Sequence, residues 1–321
     1  MLLIDKPRDW TSFDVVARLR GLTGIRKIGH AGTLDPFADG LLAVCIGRAT
    51  RMIRYLEQHD KVYRVTVAFG RSTDTYDLTG KTCRTHQLTE TEKKQLLTSD
   101  FAVVRRAVRA LTLMREQEPP MYSAVKVEGR PLYAYARQGQ TIERQARPVR
   151  IDKAILETIS LDSHVTLDMT IHCSKGTYIR SLCEYLGQMT GWGAHATALR
   201  RVASGPWHVG QAVTLTQLAA WMDGRTREEA LRIFAEKGVL LPAFAALEGL
   251  ARLTIETAAA HDLVCGRPVY LPAERSDRSQ RVAIWCGEQL VAVAQLERHS
   301  EDTWRIRTER VLINSADLLR T

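Results

Sequence analysis

Alternation of hydrophobic and polar residues predicts several strands in the first two thirds of the chain. In residues 62–69 every second side chain is hydrophobic, beginning with Tyr63, which indicates a half-buried strand. Residues 149–159 and 164–173 alternate in the same way and predict two antiparallel neighbours. The continuous hydrophobic run 41–46 is typical of a buried strand.

Other segments of this part of the chain have the spacing of hydrophobic residues that is typical of helices. Thr11 or Ser12 can cap a helix that runs through about residue 19 and that Gly21 ends. Residues 89–111 have helical spacing over a longer stretch. Strands and helices therefore both contribute to the first part of the chain.

Proline and glycine mark the boundaries of shorter elements near the middle of the chain. Pro119 and Pro120 end the helical stretch, and residues 121–127 then predict a strand. Residues 132–138 predict a short helix that Gly139 ends.

The order of these elements indicates the fold class. Because strands and helices do not alternate regularly, we expect an α+β fold with a mixed, largely antiparallel central sheet flanked by helices. After about residue 250, short strands separated by glycine and proline predict a small C-terminal β module. These strands are 269–271, 281–285, 290–296 and 304–311. We expect two domains, residues 1–248 and 249–321.

Composition narrows the class of protein. The 321 residues are 45% hydrophobic and 25% charged, which is ordinary for a globular chain and unlike a disordered one. No stretch approaches the roughly 18 consecutive apolar residues of a membrane helix, and the charges in the first nine residues do not fit a signal peptide. We therefore expect a cytoplasmic protein without a membrane partner.

The excess of positive charge is uneven along the chain. The formal net charge is +9, yet residues 251–321 contain ten arginines and ten acidic residues, so the whole excess lies in residues 1–250. A polyanionic partner is one explanation, and an ordinary basic surface is the other.

Three residues are candidates for chemistry. Asp35 lies in the glycine-rich stretch 29–40, where the backbone permits close approach of a ligand, although Asp-Pro is also a common turn. Tyr63 shares one strand face with hydrophobic residues, and a tyrosine in that pattern is more often a core aromatic than a functional residue. Arg180, two residues after Tyr178 at the start of a predicted helix, could hold a carboxylate or a phosphate, or could face solvent.

Motifs for cofactors and metals do not occur in the sequence. The six cysteines include no CxxC pair, and His30 has no cysteine or histidine at ligand spacing. There is also no P-loop, dinucleotide-binding glycine motif, nucleophile elbow or HExxH sequence. We expect chemistry without a cofactor or a metal.

Five ordered blocks, taken together, resemble the bacterial TruB family of tRNA pseudouridine synthases. They cover roughly residues 2–205, which makes coincidence a poor explanation. Where family members commonly have glycine, this chain has Asp9. The blocks are Lys6-Pro7 with Thr11-Ser12 (KP..TS), residues 29–36 (GHxGxLDP), residues 61–65 with 70 and 73–77 (the tyrosine motif), residues 119–126 (PPxxSAxK) and residues 173–182 (the arginine motif).

The resemblance implies isomerisation of uridine 55 in the T loop of tRNA to pseudouridine. Asp35 is the implied catalytic carboxylate, acting at C1′, at C6 or along a glycal route. Arg180 is expected to pair with Asp35, keeping it ionised and oriented. Tyr63 is expected to stack against the target base and to take part in a proton transfer.

The resemblance also implies how RNA is engaged. The target uridine must leave the folded T loop, and His30 is expected to fill the vacancy. RNA contacts are expected for Lys6, Asp77, Lys126 and Tyr178. The C-terminal module is expected to be a PUA-like RNA-binding domain, and the protein a monomer whose partner is the T arm of tRNA.

Two other functions remain open from the sequence. One is a related pseudouridine synthase that depends on a guide RNA, although the small tail and the lack of long basic extensions favour the stand-alone type. The other is a non-catalytic RNA-binding or tRNA-folding protein on the same scaffold. The presence of Asp35, Tyr63 and Arg180 together argues against the loss of catalysis.

Overall fold

A nine-stranded mixed sheet is the centre of the protein. The computed structural model describes residues 1–272 and 281–314. The strands in chain order are β1 (Leu2–Lys6), β2 (Ile28–Ala31), β3 (Asp39–Ile46), β4 (Lys61–Phe69), β5 (Arg71–Thr73), β6 (Thr82–Thr85), β7 (Glu116–Gln117), β8 (Lys126–Val127), β9 (Arg130–Pro131), β10 (Arg147–Pro148), β11 (Ile151–Leu161), β12 (Val165–Cys173), β13 (Ala194–Ser204), β14 (Trp207–His208), β15 (Val213–Thr214), β16 (Ala251–Thr254), β17 (Val269–Pro272), β18 (Arg281–Cys286), β19 (Gln289–Arg298) and β20 (Thr303–Val311).

Helices cover this sheet and join its strands. They are α1 (Ser12–Thr23), α2 (Ile53–Leu56), α3 (Glu90–Thr98), α4 (Ala102–Leu111), α5 (Leu132–Ala136), α6 (Ile179–Thr190), α7 (Leu215–Trp221), α8 (Ala230–Glu236) and α9 (Thr257–Val264). None of the helices in the described ranges combines the length and apolar character needed to cross a bilayer.

The strand order confirms the predicted α+β class. The main sheet has the order β11-β12-β4-β13-β3-β1-β15, with β2 added beside β3 and β14 beside β13. β1 and β15 are parallel, as are β13 and β3, whereas the other pairs are antiparallel. This order places β4 and β13, which are far apart in the chain, side by side in the middle of the sheet.

Two hydrophobic clusters hold helices against the main sheet. One cluster joins β4 and β12 to α4 and α6, through residues such as Val67, Leu111 and Leu186. The other joins β1 and β3 to α1, α7 and α8, through residues such as Leu19 and Phe234. These side chains are almost completely buried, so their removal from water stabilises the layered arrangement.

The structure corrects three predictions about local structure. The first helix ends at Gly24, which has a φ of 69°, and not at Gly21. Residues 121–127 do not form the predicted strand, because only the last two of them pair, as β8 with β9. The central strand β13 was not predicted, since its sequence lacks regular alternation.

The C-terminal module is a five-stranded sheet with the order β16-β18-β19-β20-β17. Its four predicted strands are confirmed, and β16 and α9 are additional elements. Parts of the predicted second domain, residues 273–280 and 315–321, lie outside the described residues. Ile284, Val291 and Ile306 form a core within the module, together with Leu263 of α9.

The C-terminal module also shares a hydrophobic cluster with the main sheet. Trp285 and Val293 of the module pack in one cluster with Leu3 and Met52 of the larger unit. The Arg51 Nη1 donates a hydrogen bond to the Val311 carbonyl at 3.2 Å, which adds a polar contact between the two units. The two sheets are therefore joined by a common core.

We predict that Trp285→Ala destabilises the whole chain by about 3–5 kcal/mol, because it opens a cavity in the shared cluster. Unfolding in urea, followed by circular dichroism, should remain a single transition with a lower midpoint. Tyr270→Ala is the matched control, because Tyr270 is an exposed aromatic residue of the same module. An early transition of the module alone would contradict the prediction.

Candidate active site

The loop between β2 and β3 carries Asp35 and is fixed from several directions. Leu34 is buried, its N–H donates to Ser12 Oγ at 2.9 Å, and the Ser12 hydroxyl donates to the Leu34 carbonyl at 3.2 Å. The Asp9 N–H donates to the Pro36 carbonyl at 2.8 Å. These contacts on both sides of Asp35 hold its backbone in one position.

Asp9 occupies the position at which the resemblance leads us to expect glycine. Its φ is 62°, in the left-handed region that favours glycine. The turn that glycine would permit is therefore formed here by an aspartate, a residue type that tolerates this conformation better than most.

Lys6 lies beneath the same loop. Its side chain is fully buried, and Nζ donates to the carbonyls of Pro7 at 2.9 Å, Trp10 at 2.6 Å and Pro36 at 3.4 Å. Burial lowers its pKa to about 8, although Asp39 and Asp35 oppose the shift. The structure thus places Lys6 inside the protein, where it ties the loop to β1, and not on the surface expected for an RNA contact.

Arg180 and Asp35 form a two-pronged ion pair. Nε of Arg180 donates to one carboxylate oxygen of Asp35 at 2.7 Å, and Nη2 donates to the other at 2.9 Å. The Arg180 side chain is 3% exposed, whereas that of Asp35 is 32% exposed. The arginine is therefore a buried support, and the carboxylate remains accessible to a ligand.

Three other groups hold Arg180 in place. Its Nη1 donates to the Thr75 carbonyl at 2.9 Å, and its Nη2 donates to the Tyr122 carbonyl at 3.0 Å. The Asp77 carboxylate lies 3.6 Å from Nη1 and also accepts hydrogen bonds from the Thr79 amide and hydroxyl. The Asp77 side chain is 5% exposed, so it lies behind Arg180 and away from the surface expected for an RNA contact.

A cavity of about 510 Å³ opens beside the ion pair. Asp35, Tyr63 and Tyr178 line it, together with Lys61 and Arg201. This volume lies within the range of pockets that hold small ligands or single nucleotides. The structure therefore brings the predicted carboxylate and the predicted aromatic residue to one cavity, with Arg180 directly behind the carboxylate.

Burial changes the acidity of both tyrosines in the cavity. It raises the pKa of Tyr63, an effect that the Arg201 charge opposes and the Asp35 charge supports. It also raises the pKa of Tyr178, whose carbonyl accepts a hydrogen bond from Gln117 Nε2 and whose N–H donates one to Gln117 Oε1. Both phenols are therefore neutral hydrogen-bond donors at pH 7.

Two buried cations in the cavity wall were missed by the sequence analysis. Lys61 is 7% exposed, and its pKa is lowered to about 8 by burial and by the charge of Arg201. Arg201 is 2% exposed and donates from Nε to the Leu41 carbonyl at 2.7 Å and from Nη2 to the Gly32 carbonyl at 3.1 Å. In the sequence, the one feature that could have identified Lys61 as a site residue is its position two residues before Tyr63.

Two predicted RNA-contacting residues lie outside the lining of this cavity. His30 is half-buried on β2, and burial followed by the charge of Arg201 lowers its pKa, so the ring is neutral at pH 7. Lys126 is exposed on the short strand β8. Across the described ranges, no group of three or more His, Cys, Asp or Glu side chains could hold a metal ion.

Solved structures with the same fold include chains of H/ACA complexes. One is from "Crystal structure of the archaeal box H/ACA sRNP Nop10-Cbf5 complex", with a TM-score of 0.66 and 23% identity over 99% of this chain and 87% of that chain. Another is from "Crystal Structure of a Cbf5-Nop10-Gar1 Complex", with a TM-score of 0.68 and 22% identity over 99% and 86%. At this identity the likeness concerns the fold alone.

Two family models match the sequence over the part that carries the site. Residues 20–179 match the N-terminal domain of TruB family pseudouridylate synthases, and residues 180–248 match the tRNA pseudouridylate synthase B C-terminal domain. The fold and the site thus define a pseudouridylate synthase, which is an isomerase. Within that class, the chain belongs to the TruB family.

Individual relatives agree with this assignment. The tRNA pseudouridine synthase B of Thermobifida fusca is 45% identical over 225 residues, which are 68% of this chain and 74% of the relative. That of Aromatoleum aromaticum is 41% identical over 272 residues, which are 85% of this chain and 81% of the relative.

We predict that Arg180→Lys lowers the rate of pseudouridine formation by about 10²–10³-fold, because one amino group cannot hold both Asp35 oxygens and two carbonyls. Single-turnover assays measure the rate, and thermal melting checks that the variant is folded. Arg106→Lys, at an exposed position on α4, is the matched control. A rate within threefold of that of the protein without a substitution would contradict the prediction.

Proposed function

We propose that the protein is a tRNA pseudouridine synthase that isomerises uridine 55 in the T loop, with Asp35 as the catalytic carboxylate. The observation that carries the proposal is the two-pronged pair of Arg180 with an accessible Asp35, beside a cavity that Tyr63 also lines. Membership in the TruB family and the names of its relatives support tRNA as the substrate.

The position of Asp35 suits the cleavage of a glycosidic bond. A carboxylate can attack C1′ or C6, or can stabilise an electron-poor sugar carbon while the bond between N1 and C1′ breaks. Arg180 keeps the carboxylate oxygens fixed while the uracil turns and C5 approaches C1′. Because the product is an isomer of the substrate, no oxidant, reductant or energy source is consumed.

Tyr63 serves the target base in two ways in this proposal. Its ring forms part of the cavity wall and stacks against the uracil, and its neutral hydroxyl can donate or accept a proton near the sugar or C5. Tyr178 lines the same cavity and completes the contact with the nucleoside.

RNA binding combines base flipping with contacts to phosphates. Extruding the uridine costs a few kcal/mol, about the value of lost stacking and pairing, and the neutral ring of His30 fills the gap. Lys126 is an exposed cation available to the RNA backbone, and Arg147 and Lys175 line the cavity. Lys6 and Asp77 act from within the protein, on the catalytic loop and on Arg180.

The C-terminal module supplies a second RNA contact in this proposal. Residues 1–248 form the catalytic domain, and residues 249–321 form a PUA-like domain. Arg252 and Arg298 are exposed and lie against the buried rings of Trp285, at 4.4 Å, and Trp304, at 5.8 Å, so they offer positioned cations to RNA phosphates. We also propose that the protein acts in the cytoplasm and as a monomer; Asp35, Tyr63 and Arg180 all belong to one chain, so the site needs no residue from a second copy.

The decisive experiment mixes the purified protein with unmodified tRNA, without a cofactor or a guide RNA, and maps pseudouridine by chemical derivatisation. Product at position 55 supports the proposal. Product only after a guide RNA is added would favour the guide-dependent alternative. Binding without product would favour a non-catalytic tRNA-folding protein.

We predict that Asp35→Asn lowers the rate on the order of 10⁴-fold or more, because the amide cannot replace an ionised oxygen. The affinity for tRNA, measured by filter binding, should stay within several-fold. Asp162→Asn, in the exposed turn between β11 and β12, is the matched control. Parallel loss of affinity and rate would instead indicate a structural role.

We predict that Tyr63→Phe lowers the single-turnover rate by about 10²-fold while tRNA affinity remains similar, because the ring is kept and the hydroxyl is lost. Tyr185→Phe is the control, because Tyr185 lines a separate cavity on α6. An unchanged rate would remove the proton-transfer role of Tyr63.

A further inference from the structure

Arg201 is a buried positive charge without a carboxylate partner. Among residues 1–272 and 281–314, none of the ion pairs within 4.0 Å includes Arg201, which is 2% exposed. Its hydrogen bonds reach two backbone carbonyls, at Leu41 and Gly32, and the Tyr63 hydroxyl, so none of these partners carries a full negative charge. A buried charge is costly unless an anion is near, so the missing partner requires an explanation.

Arg201 reaches the same cavity as Asp35. It lines the cavity together with Lys61 and Gly32, and its Nη2 donates to the Gly32 carbonyl at 3.1 Å. Arg201 and Asp35 both influence the Tyr63 phenol. The cavity therefore contains a carboxylate and, apart from it, a pair of buried cations.

The proposed reaction creates a negative charge inside this cavity. When the bond between N1 and C1′ breaks, its electron pair remains on the uracil ring, where N1 and the O2 and O4 carbonyls share the charge. This distribution applies when Asp35 bonds to C1′ or assists a glycal route; after addition at C6 the charge is shared by N1 and O2 alone, and it still lies on the base. The anion is transient, so a protein group that faces it would be left without a partner before the reaction.

We propose that Arg201, assisted by Lys61, stabilises the negative charge on the detached uracil. The inference rests on the proposed pseudouridine synthase activity and adds a charge-stabilising group to it. A phosphate partner fits less well, because Arg201 is almost fully buried whereas Lys175 is exposed at the same cavity. Fixed cations aimed at a developing charge act most strongly in the transition state.

The step balances without a further reactant. In the C1′ route, an Asp35 oxygen bonds to C1′ as the N1–C1′ bond breaks, and uracil becomes an anion opposite Arg201. C5 then bonds to C1′ and displaces Asp35 as a carboxylate, the C5 proton passes to water, and N1 takes a proton from water. The base has the same atoms and charge at the end as at the start, and Arg201 keeps its protons throughout.

The test compares uridine with 5-fluorouridine at position 55 of otherwise identical tRNA. Fluorine withdraws electron density and stabilises the uracil anion, so that substrate depends less on the protein's cations. For Arg201→Gln we expect the single-turnover loss of intact nucleoside to fall about 10²-fold with uridine and less than about 10-fold with 5-fluorouridine. Nuclease digestion and chromatography measure the remaining nucleoside.

Controls separate this role from folding and from phosphate binding. Arg106→Gln removes an exposed arginine charge and should leave both rates unchanged. Equal losses on both substrates would overturn the inference, whether they accompany a lower melting temperature, which indicates a structural role, or weaker and less salt-dependent tRNA binding, which indicates a phosphate contact.

Lys61→Gln provides the same comparison if Arg201→Gln does not fold. We expect a smaller loss, about 10-fold with uridine, that is again reduced with 5-fluorouridine. Equal losses for the two substrates would overturn the inference here as well. If the protein without any substitution forms no pseudouridine, the proposed function itself is refuted. Failure of the proposed function is thus distinguishable from failure of the inference about Arg201.

Discussion

The need to neutralise and hold one buried guanidinium governs the architecture of the site. Arg180 is 3% exposed, and its four partners, Asp35, Thr75, Asp77 and Tyr122, come from three distant parts of the chain. A buried arginine is costly unless its charge and its donors are matched. The loop after β2, the turn after β5 and the segment before β8 must therefore reach their final positions together, and the accessible Asp35 carboxylate is oriented as a result.

Several strands of the main sheet, and Asp35 and Arg180 as site residues, were predictable from the sequence. Regular alternation identified β4, β11 and β12, because each places one face against a helix layer and the other toward water or a neighbour. Asp35 and Arg180 were identified as candidates because the blocks that contain them occur in the same order as the motifs of the TruB family. Asp35 and Arg180 belong to two such blocks, although nothing in the local pattern around either residue indicated that their side chains meet.

The parts that sequence could not predict depend on long-range contacts. Strand β13 contains two adjacent arginines and has no regular alternation. Arg200 pairs with Asp5 and Asp39. Arg201 is buried and donates hydrogen bonds to the Leu41 and Gly32 carbonyls. Residues 121–127 read as a strand, yet the Tyr122 carbonyl is used by Arg180. In both cases polar partners far along the chain override the local preference.

The shared hydrophobic cluster between the two sheets has a geometric consequence for substrate selection. Since Trp285 and Val293 are packed with Leu3 and Met52, the C-terminal sheet cannot swing freely about a linker. Its outer surface and the cavity beside Asp35 lie at a fixed separation. In the proposed function, an RNA that touches both must present its two contact points at that separation, so substrate length is selected together with local chemistry.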